Sequence, residues 1–444
     1  MPVKHISHFS PGRIVLASVG CAIAIGTFLL SLPIARKVPI SLIDLLFTST
    51  SVTCVTGLLT VPLTDFTPFG QLVIFFLMQI GGLGIITLTL FLMLFFMEFG
   101  LGAQILAGKL LELETWKNIK HMIFFIIGLT IAIELIGAVF IFLAIHNEYS
   151  LQKAIFLSLF HSVSSFCDAG LSLFPDGMVA YKTNWLMLIS TILIMLLGGI
   201  GFITIHEIIE YARARKVGTR PHLSLQTKIT LSMTALLMTG AIVLFWLLER
   251  QNTLSHMDPF TAILNSVFNA VSNRSTGFLT VSIFDLNIAT ILMIMIVAFI
   301  GSSPGSTGSG IRTTTFAIFL ATVKAAIEGK SSVQIKGRRI AKDQVYRTLA
   351  IIALSQAWIL ATIFCLLITE KGWDFLDVIF AVISAYATLG VDTGITPYLS
   401  FTGKLFIMAT MIVGRIGSLT VAVALRKKLE APEFQYPEER VMLS

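Results

Sequence analysis

The stretch "FTSTSVTCVTG", Phe47 to Gly57, decides the fold because it occurs four times in related form. Its counterparts are "FHSVSSFCDAG" (Phe160 to Gly170), "FNAVSNRSTG" (Phe268 to Gly277) and "FAVISAYATLG" (Phe380 to Gly390). Phenylalanine precedes glycine by ten residues in three strings and by nine in the third, and the glycines recur at intervals of 113, 107 and 113 residues. A second glycine comes after each at 24, 28, 24 and 24 positions: Gly81 in "QIGGLGIIT", Gly198 in "LLGGIGFIT", Gly301, and Gly414 in "IVGRIGSLT". Self-similarity at a fixed period marks a repeat architecture. The unit reads as long apolar span, short helix, glycine loop, second span, with repeats at 1–97, 98–212, 213–330 and 331–425 and a cytoplasmic tail at 426–444.

The solvent around these repeats is lipid. The chain is 55% hydrophobic and 12% charged, against roughly 25% charged in soluble domains. Runs such as Phe69 to Met97, His121 to Ile145, Trp185 to Ile205 and Ile229 to Leu248 reach the ~20 residues a helix needs to cross a bilayer. Ile14 to Ser31 is long enough to span and lacks a clear cleavage site, so no signal peptide is expected. Basic residues cluster between Glu210 and Lys228, between Lys324 and Arg347, at "RKK" 426 to 428 and at Lys4. The positive-inside rule makes those segments and both termini cytoplasmic. A basic nucleic-acid surface is the competing reading, but these clusters flank spans as topology requires, so no nucleic-acid partner is expected. Cys21, Cys54, Cys167 and Cys365 are isolated and read as apolar packing residues.

A segment of ten to fourteen residues is too short to cross and reads as re-entrant. Irregular backbone at membrane depth is tolerated where it is buried in protein or lines a watery cavity. Four such loops in one chain imply a shared aqueous axis. The expected fold class is therefore an all-α polytopic membrane protein with four span, pore-helix, span repeats around a pseudo-fourfold pore. The alternative is eight ordinary spans joined by external turns, without a pore.

Each loop ends in small or hydroxyl-bearing residues before its glycine, and glycine permits the backbone conformations that aim successive carbonyls inward. The candidate filter is Val55, Thr56 and Gly57; Asp168, Ala169 and Gly170; Ser275, Thr276 and Gly277; Thr388, Leu389 and Gly390. Rings of carbonyls replace the hydration shell of an alkali cation, so such an ion would be held by backbone oxygens alone. Asp65, Asp176, Asp285 and Asp392 come after the loops and on this topology face outside, where acidic groups concentrate cations. Arg274, inside the third string, is expected to face away from the pore and brace the loop.

The third repeat carries "GSSPGSTGSG", Gly301, Ser302, Ser303, Pro304, Gly305, Ser306, Thr307, Gly308, Ser309 and Gly310. It lacks the GK[ST] ending of a phosphate loop and no strand precedes it. A flexible linker is the second reading, yet Gly301 aligns with Gly81, Gly198 and Gly414 inside spans. Pro304 and the glycines interrupt the helix at that depth. In the fourth repeat Arg415 stands where the first two have Gly82 and Gly199. A charge at membrane depth is a functional candidate by default, the bland alternative being an arginine paired with a carboxylate or a helix C-terminus.

The fourfold organisation with one glycine per loop resembles the Trk, Ktr and HKT superfamily of K⁺ transporters, over nearly the whole chain. "TSTSVTCVTGL", "FHSVSSFCDAGL" and the glycine-rich break look most like the KtrB-type membrane subunits of bacterial Ktr systems. That resemblance implies a K⁺-translocating, channel-like subunit in the bacterial plasma membrane. It implies a homodimer standing on a cytosolic regulatory ring of the KtrA type, and an intramembrane gating loop, which falls on Gly301 to Thr315, with an arginine near the gate. The chain supplies no nucleotide site of its own, so ATP or ADP is expected on the ring. The single glycine per loop, against two in TVGYG, leads us to expect one well-defined ion and looser K⁺ over Na⁺ selectivity than in a channel. A coupled secondary transporter would place ionisable groups at the midplane, and an integral membrane enzyme would need clustered titratable residues; acidic residues are scarce in the spans and no such cluster is found. "HEIIE" at 206 to 210 has Glu210 where a zinc helix needs histidine and reads as the cytoplasmic end of a span.

Overall fold

The computed structural model describes residues 11–83, 119–218, 221–425 and 439. The first repeat's second span beyond residue 83, Lys4, Arg220, the "RKK" run and the rest of the tail lie outside the described residues.

Among the described residues, four helices are long and apolar enough to cross a membrane, and each opens one repeat: α1 (Pro11–Ser31), α4 (Ile119–Ile145), α8 (Leu225–Glu249) and α12 (Lys342–Thr369). Each leads into a short helix, α2 (Leu42–Thr53), α5 (Leu151–Phe166), α9 (Pro259–Ser272) and α13 (Phe375–Ala387). The chain then turns through the glycine string and descends in α3 (Pro68–Gly82), α6 (Trp185–Ile200), α10 (Ile288–Ile300) and α14 (Phe401–Ile416). The phenylalanine that begins each string is the anchor of its short helix: Phe47, Phe160, Phe268 and Phe380 are all at most 1% exposed.

Cyclic order is set by which helix packs on which. The descending helix of each repeat lies against the short helix of the next: α3 on α5, α6 on α9, α10 on α13, and α14 back on α2. Small polar residues let the short helices approach the long ones closely, as in membrane bundles generally. Ser49 Oγ donates to the Ile23 carbonyl at 2.9 Å and Ser162 Oγ to the Glu134 carbonyl at 2.7 Å. Other hydroxyls fold back on their own helix, Thr48 to Asp44 O and Thr50 to Leu46 O, both at 2.8 Å. These hydroxyls find partners without water, whereas Ser51, Thr53 and Ser272 on the short helices have none among the described residues.

The descending helices have 15, 16, 13 and 16 residues, roughly 20–24 Å at 1.5 Å per residue, short of the ~30 Å hydrocarbon core. Beyond their ends the repeats diverge. The third is interrupted at Gly301 and resumes as α11 (Thr313–Ile327), as expected. The second and fourth, which the sequence reads as plain spans, bend by 96° into α7 (Phe202–Lys216) and by 99° into α15 (Ser418–Leu425). Both bends fall at a glycine, Gly201 (φ 100°) and Gly417 (φ 96°). "HEIIE" accordingly lies in α7, past the bend. Between α11 and α12 the basic stretch forms a short hairpin, β1 (Gln334–Ile335) with β2 (Arg338–Arg339).

The end of each long helix is tied to the start of its descending partner. Thr67 N donates to Ala35 O at 3.1 Å, Asn184 Nδ2 to Ala144 O at 3.2 Å, Asn287 N to Glu249 Oε1 at 3.0 Å and Ser400 N to Glu370 Oε2 at 3.0 Å. In repeats three and four a carboxylate thus sits on a helix N-terminus, where the exposed N–H groups and the helix dipole favour it. Glu249 is fully buried and also accepts from Asn252 Nδ2 and Thr253 Oγ1, each at 2.9 Å. Glu249→Ala is expected to lower stability by about 1.5–3 kcal/mol, the usual loss of a charged hydrogen bond, read as a lower unfolding temperature in lipid nanodiscs. Lys330→Ala, which removes the exposed pair to Glu328, is expected to change it by under about 1 kcal/mol.

Candidate functional site

The four strings meet in a closed ring. A Cβ placed on Gly57 would overlap the Ala169 carbonyl oxygen, one on Gly170 that of Thr276, one on Gly277 that of Leu389, and one on Gly390 that of Thr56. Every string glycine is therefore seated on the carbonyl that precedes the glycine of the next repeat. All four also have positive φ, between 65° and 91°. Glycine is required twice over, by conformation and by space. The cycle is closed by the backbone oxygens of Thr56, Ala169, Thr276 and Leu389, each against a neighbouring repeat's glycine, without regard to side chain.

Each loop hangs from its own short helix. The Thr56, Ala169 and Leu389 amides donate to Ser51, Ser164 and Ser384 carbonyls at 2.7, 2.8 and 2.9 Å, while in the third loop both Thr276 and Gly277 donate to Ser272 at 2.8 and 2.9 Å. The nine-residue spacing of the third string corresponds to a missing turn residue. Val55, Asp168 and Thr388 sit left-handed at φ 55°, 60° and 51°, whereas Ser275 does not. Such positions cost ~1–3 kcal/mol for residues other than glycine, and three loops carry that strain.

Behind the ring, Gly81, Gly198 and Gly414 let their helices close on the carbonyls of Thr53, Phe166 and Tyr386, four residues before each ring glycine. Gly301 departs from this pattern. It ends α10 at φ 72° and packs on Ser309 O of its own interrupted segment.

That segment, Gly301 to Arg312, is folded back on itself and held from every side. Ser302 N donates to Ser309 O and Thr313 N to Ser302 O, both at 3.0 Å. Its tip docks on the second repeat's bend: Thr307 N to Gly198 O at 3.2 Å, Ser303 N to Gly199 O at 3.3 Å, and Phe202 N to Gly305 O at 2.8 Å. Asp168, buried under its ring position, receives Thr276 Oγ1 at 2.6 Å and Thr307 Oγ1 at 2.9 Å. The carboxylate thus ties loops two and three to the interrupted span.

Three arginines complete the clamp. Arg415 donates to Thr307 O, to Ser309 Oγ at 3.2 Å and to Gly81 O, so it touches the segment and a helix C-terminus at once. Arg274, expected to brace its own loop, reaches the interrupted segment instead, its Nε on Gly301 O at 3.0 Å and its Nη2 on Ser303 Oγ at 3.2 Å. Arg312 falls inside the Gly301 to Thr315 stretch but is not singled out by the sequence reading. Its Nη1 reaches Ser303 O at 3.2 Å and Gly308 O from a left-handed backbone at φ 77°. The available signal was a basic residue at membrane depth shortly after "GSG". Pro304 and Ser306 lie in the turn, Ser306 Oγ donating to Ser303 O at 2.6 Å. Asp392, by contrast, is spent locally, accepting from Thr396 Oγ1 at 2.9 Å.

Gly277→Ala is expected to cut cation flux at least tenfold while leaving assembly intact, since ring oxygens must move by the depth of a methyl group. Radiotracer flux in proteoliposomes, beside size-exclusion profiles, checks it.

The chain matches the TrkH family, described as cation transport protein, over residues 15–436. It is 35% identical to the Ktr system potassium uptake protein B of Bacillus subtilis, covering 98% of this chain and 96% of that one. It is 33% identical to the potassium/sodium uptake protein NtpJ of Enterococcus hirae, covering 98% and 97%. The crystal structure of the potassium transporter TrkH from Vibrio parahaemolyticus shares the fold with a TM-score of 0.72 at 19% identity, over 96% of this chain and 87% of that one. With a ring of four loops, apolar spans and a family match across nearly its whole length, the chain belongs to the TrkH family of membrane cation transport proteins.

Proposed function

We propose that this chain is the K⁺-translocating subunit of a potassium uptake system, with the carbonyl ring as its filter and Gly301 to Arg312 as its gate. The observation that carries the reading is the closed cycle in which each ring glycine abuts the next repeat's carbonyl. Four equivalent carbonyls with no side-chain ligand suit a monovalent cation that sheds its water in exchange for dipoles. The relatives named as potassium uptake proteins support the ion. The name of the potassium/sodium relative favours modest discrimination against Na⁺, as a single glycine-borne ring would give.

The gate reading rests on the segment's contacts, which reach all four repeats through Arg415, Gly198, Arg274 and its own Arg312. Opening it requires breaking charged hydrogen bonds at about 1.5–3 kcal/mol each. A two-state switch needs ~5.5 kcal/mol to go from one per cent to ninety-nine per cent populated, so two or three such bonds set the right scale. The energy to open comes, on this reading, from a cytosolic ring of the KtrA type that binds ATP or ADP and pulls on the basic hairpin after α11. Two protomers, each with its own pore, stand on that ring in the plasma membrane with termini inside.

Expression in a bacterium lacking K⁺ uptake, alone and with a ring subunit, is expected to restore growth and uptake at micromolar K⁺. Flux of Na⁺ without K⁺ overturns the ion assignment. Deleting Gly305 to Gly308 is expected to raise flux several-fold and to weaken dependence on the ring; regulated uptake unchanged by that deletion removes the gate. Arg415→Ala is expected to raise leak about tenfold or more, the equivalent of ~1.4 kcal/mol, measured as K⁺ efflux without the ring.

A further inference from the structure

Away from the pore, α4 carries an acid that neither the ring nor the gate uses. Glu134 lies near the middle of this span and is 5% exposed. No salt bridge among the described residues reaches it. Its carboxylate accepts Gln79 Nε2 at 3.1 Å, and the Cys167 thiol stands 3.9 Å away. Two further polar atoms beside it are buried and have no partner among the described residues, Gln79 Oε1 and Thr130 Oγ1, the latter on a residue 1% exposed. Buried polar groups left unpaired are destabilising, so their gathering at one place calls for an occupant.

The place is a cavity of about 260 Å³ between α3, α4 and α5. Gln79, Thr130 and Glu134 line one wall, and Phe75, Leu83, Ile127, Leu159 and Val163 line the rest. Ile131 and Leu135, one turn apart on α4, border it and are 49% and 55% exposed on the outer face of the bundle. Access is therefore from the acyl-chain region and not from the ion path.

The chemistry of the wall selects the ligand. A carboxylate and an amide oxygen only accept, and a threonine hydroxyl accepts readily, so the guest must bring several donors. A primary ammonium has three and cancels the charge of the acid, while the apolar walls take up a short hydrocarbon chain. An alcohol has one donor and no charge. A bare alkali ion leaves most of the apolar cavity empty.

We propose that this cavity is a binding site for amphiphilic primary amines, entered from the lipid, with Glu134 as counter-ion and Gln79 Oε1 and Thr130 Oγ1 as the remaining acceptors. The site does not depend on which ion the pore carries.

The test uses the full chain in lipid nanodiscs with n-octylamine as probe, its binding measured by the rise in unfolding temperature across a titration and by calorimetry. Saturable binding is expected. Glu134→Gln is expected to weaken it at least tenfold. Leu135→Trp, which places bulk at the lipid-facing mouth without touching the acid, is expected to do the same and keeps the test open if the first variant folds poorly. n-Octanol is expected to bind at least tenfold more weakly than the amine and to be indifferent to Glu134→Gln. Equal octylamine affinity in wild type and both variants overturns the proposal, as does equal binding of amine and alcohol. Displacement of the amine by NaCl, but not by choline chloride at the same ionic strength, also overturns it, by making the cavity an alkali-ion site.

Discussion

The contact between a glycine Cα and the next repeat's carbonyl oxygen is what the rest of the molecule is built to hold. It has no room for a side chain and closes on itself only if four loops stand at the same depth in cyclic order. The larger packing obeys this requirement. Each descending helix lies on the next repeat's short helix, so the ring is repeated one layer out by helices and a second time by the carbonyls of Thr53, Phe166 and Tyr386 against Gly81, Gly198 and Gly414. Because the ring uses backbone alone, the strings are free to vary around it, and "VTG", "DAG", "STG" and "TLG" serve one geometry.

Below the ring the symmetry ends, and the reason is again the absence of water to satisfy backbone in a bilayer. An interrupted span exposes amides and carbonyls that must be paired within the protein. The second repeat pairs part of its own bend with the third's segment, through Phe202 N on Gly305 O, so two breaks satisfy each other. Further carbonyls of the segment go to arginines, whose several donors suit irregular backbone. Three guanidinium groups around the carboxylate of Asp168 leave the clamp positively charged, and in a low-dielectric setting such charge acts over several ångströms. On the proposed reading the segment obstructs a cation by both bulk and field, and its withdrawal removes both.

The sequence carries the fold because its repeats can be compared with one another inside one chain. The period, the buried phenylalanines and even the one-residue shortening of "FNAVSNRSTG" are visible as spacing, and the last of these corresponds to the missing left-handed residue. The bends at Gly201 and Gly417 are not visible in the same way. In "LLGGIGFIT" and "IVGRIGSLT" the last glycine sits within a stretch that reads as a continuous span, and only the tertiary position of the helix end shows that the chain must turn there. Arg312 was hidden for a related reason: its partners, Ser303 and Gly308, precede it in the same segment, and the fold-back that brings them to it has no periodic signature. Glu134 reads as one stray acid in a span until Gln79, from the preceding repeat, is placed beside it.

Ring and segment therefore rest on different physics. The ring depends on backbone geometry shared equally by four repeats, so a change in any one loop disturbs all of them through the closed cycle. The segment depends on side chains drawn unequally from the repeats, Arg274 and Arg312 from the third and Arg415 from the fourth, each with its own small set of bonds. On the proposed reading, a selectivity element built by symmetry has few independent parts. A lock built by single residues can be weakened one bond at a time, which is the property a gate needs if a partner outside the membrane is to open it with a few kcal/mol. Asp168 belongs to both, bonded to Thr276 in the ring and Thr307 in the segment. Through it, on the proposed reading, movement of the segment is felt at the ring.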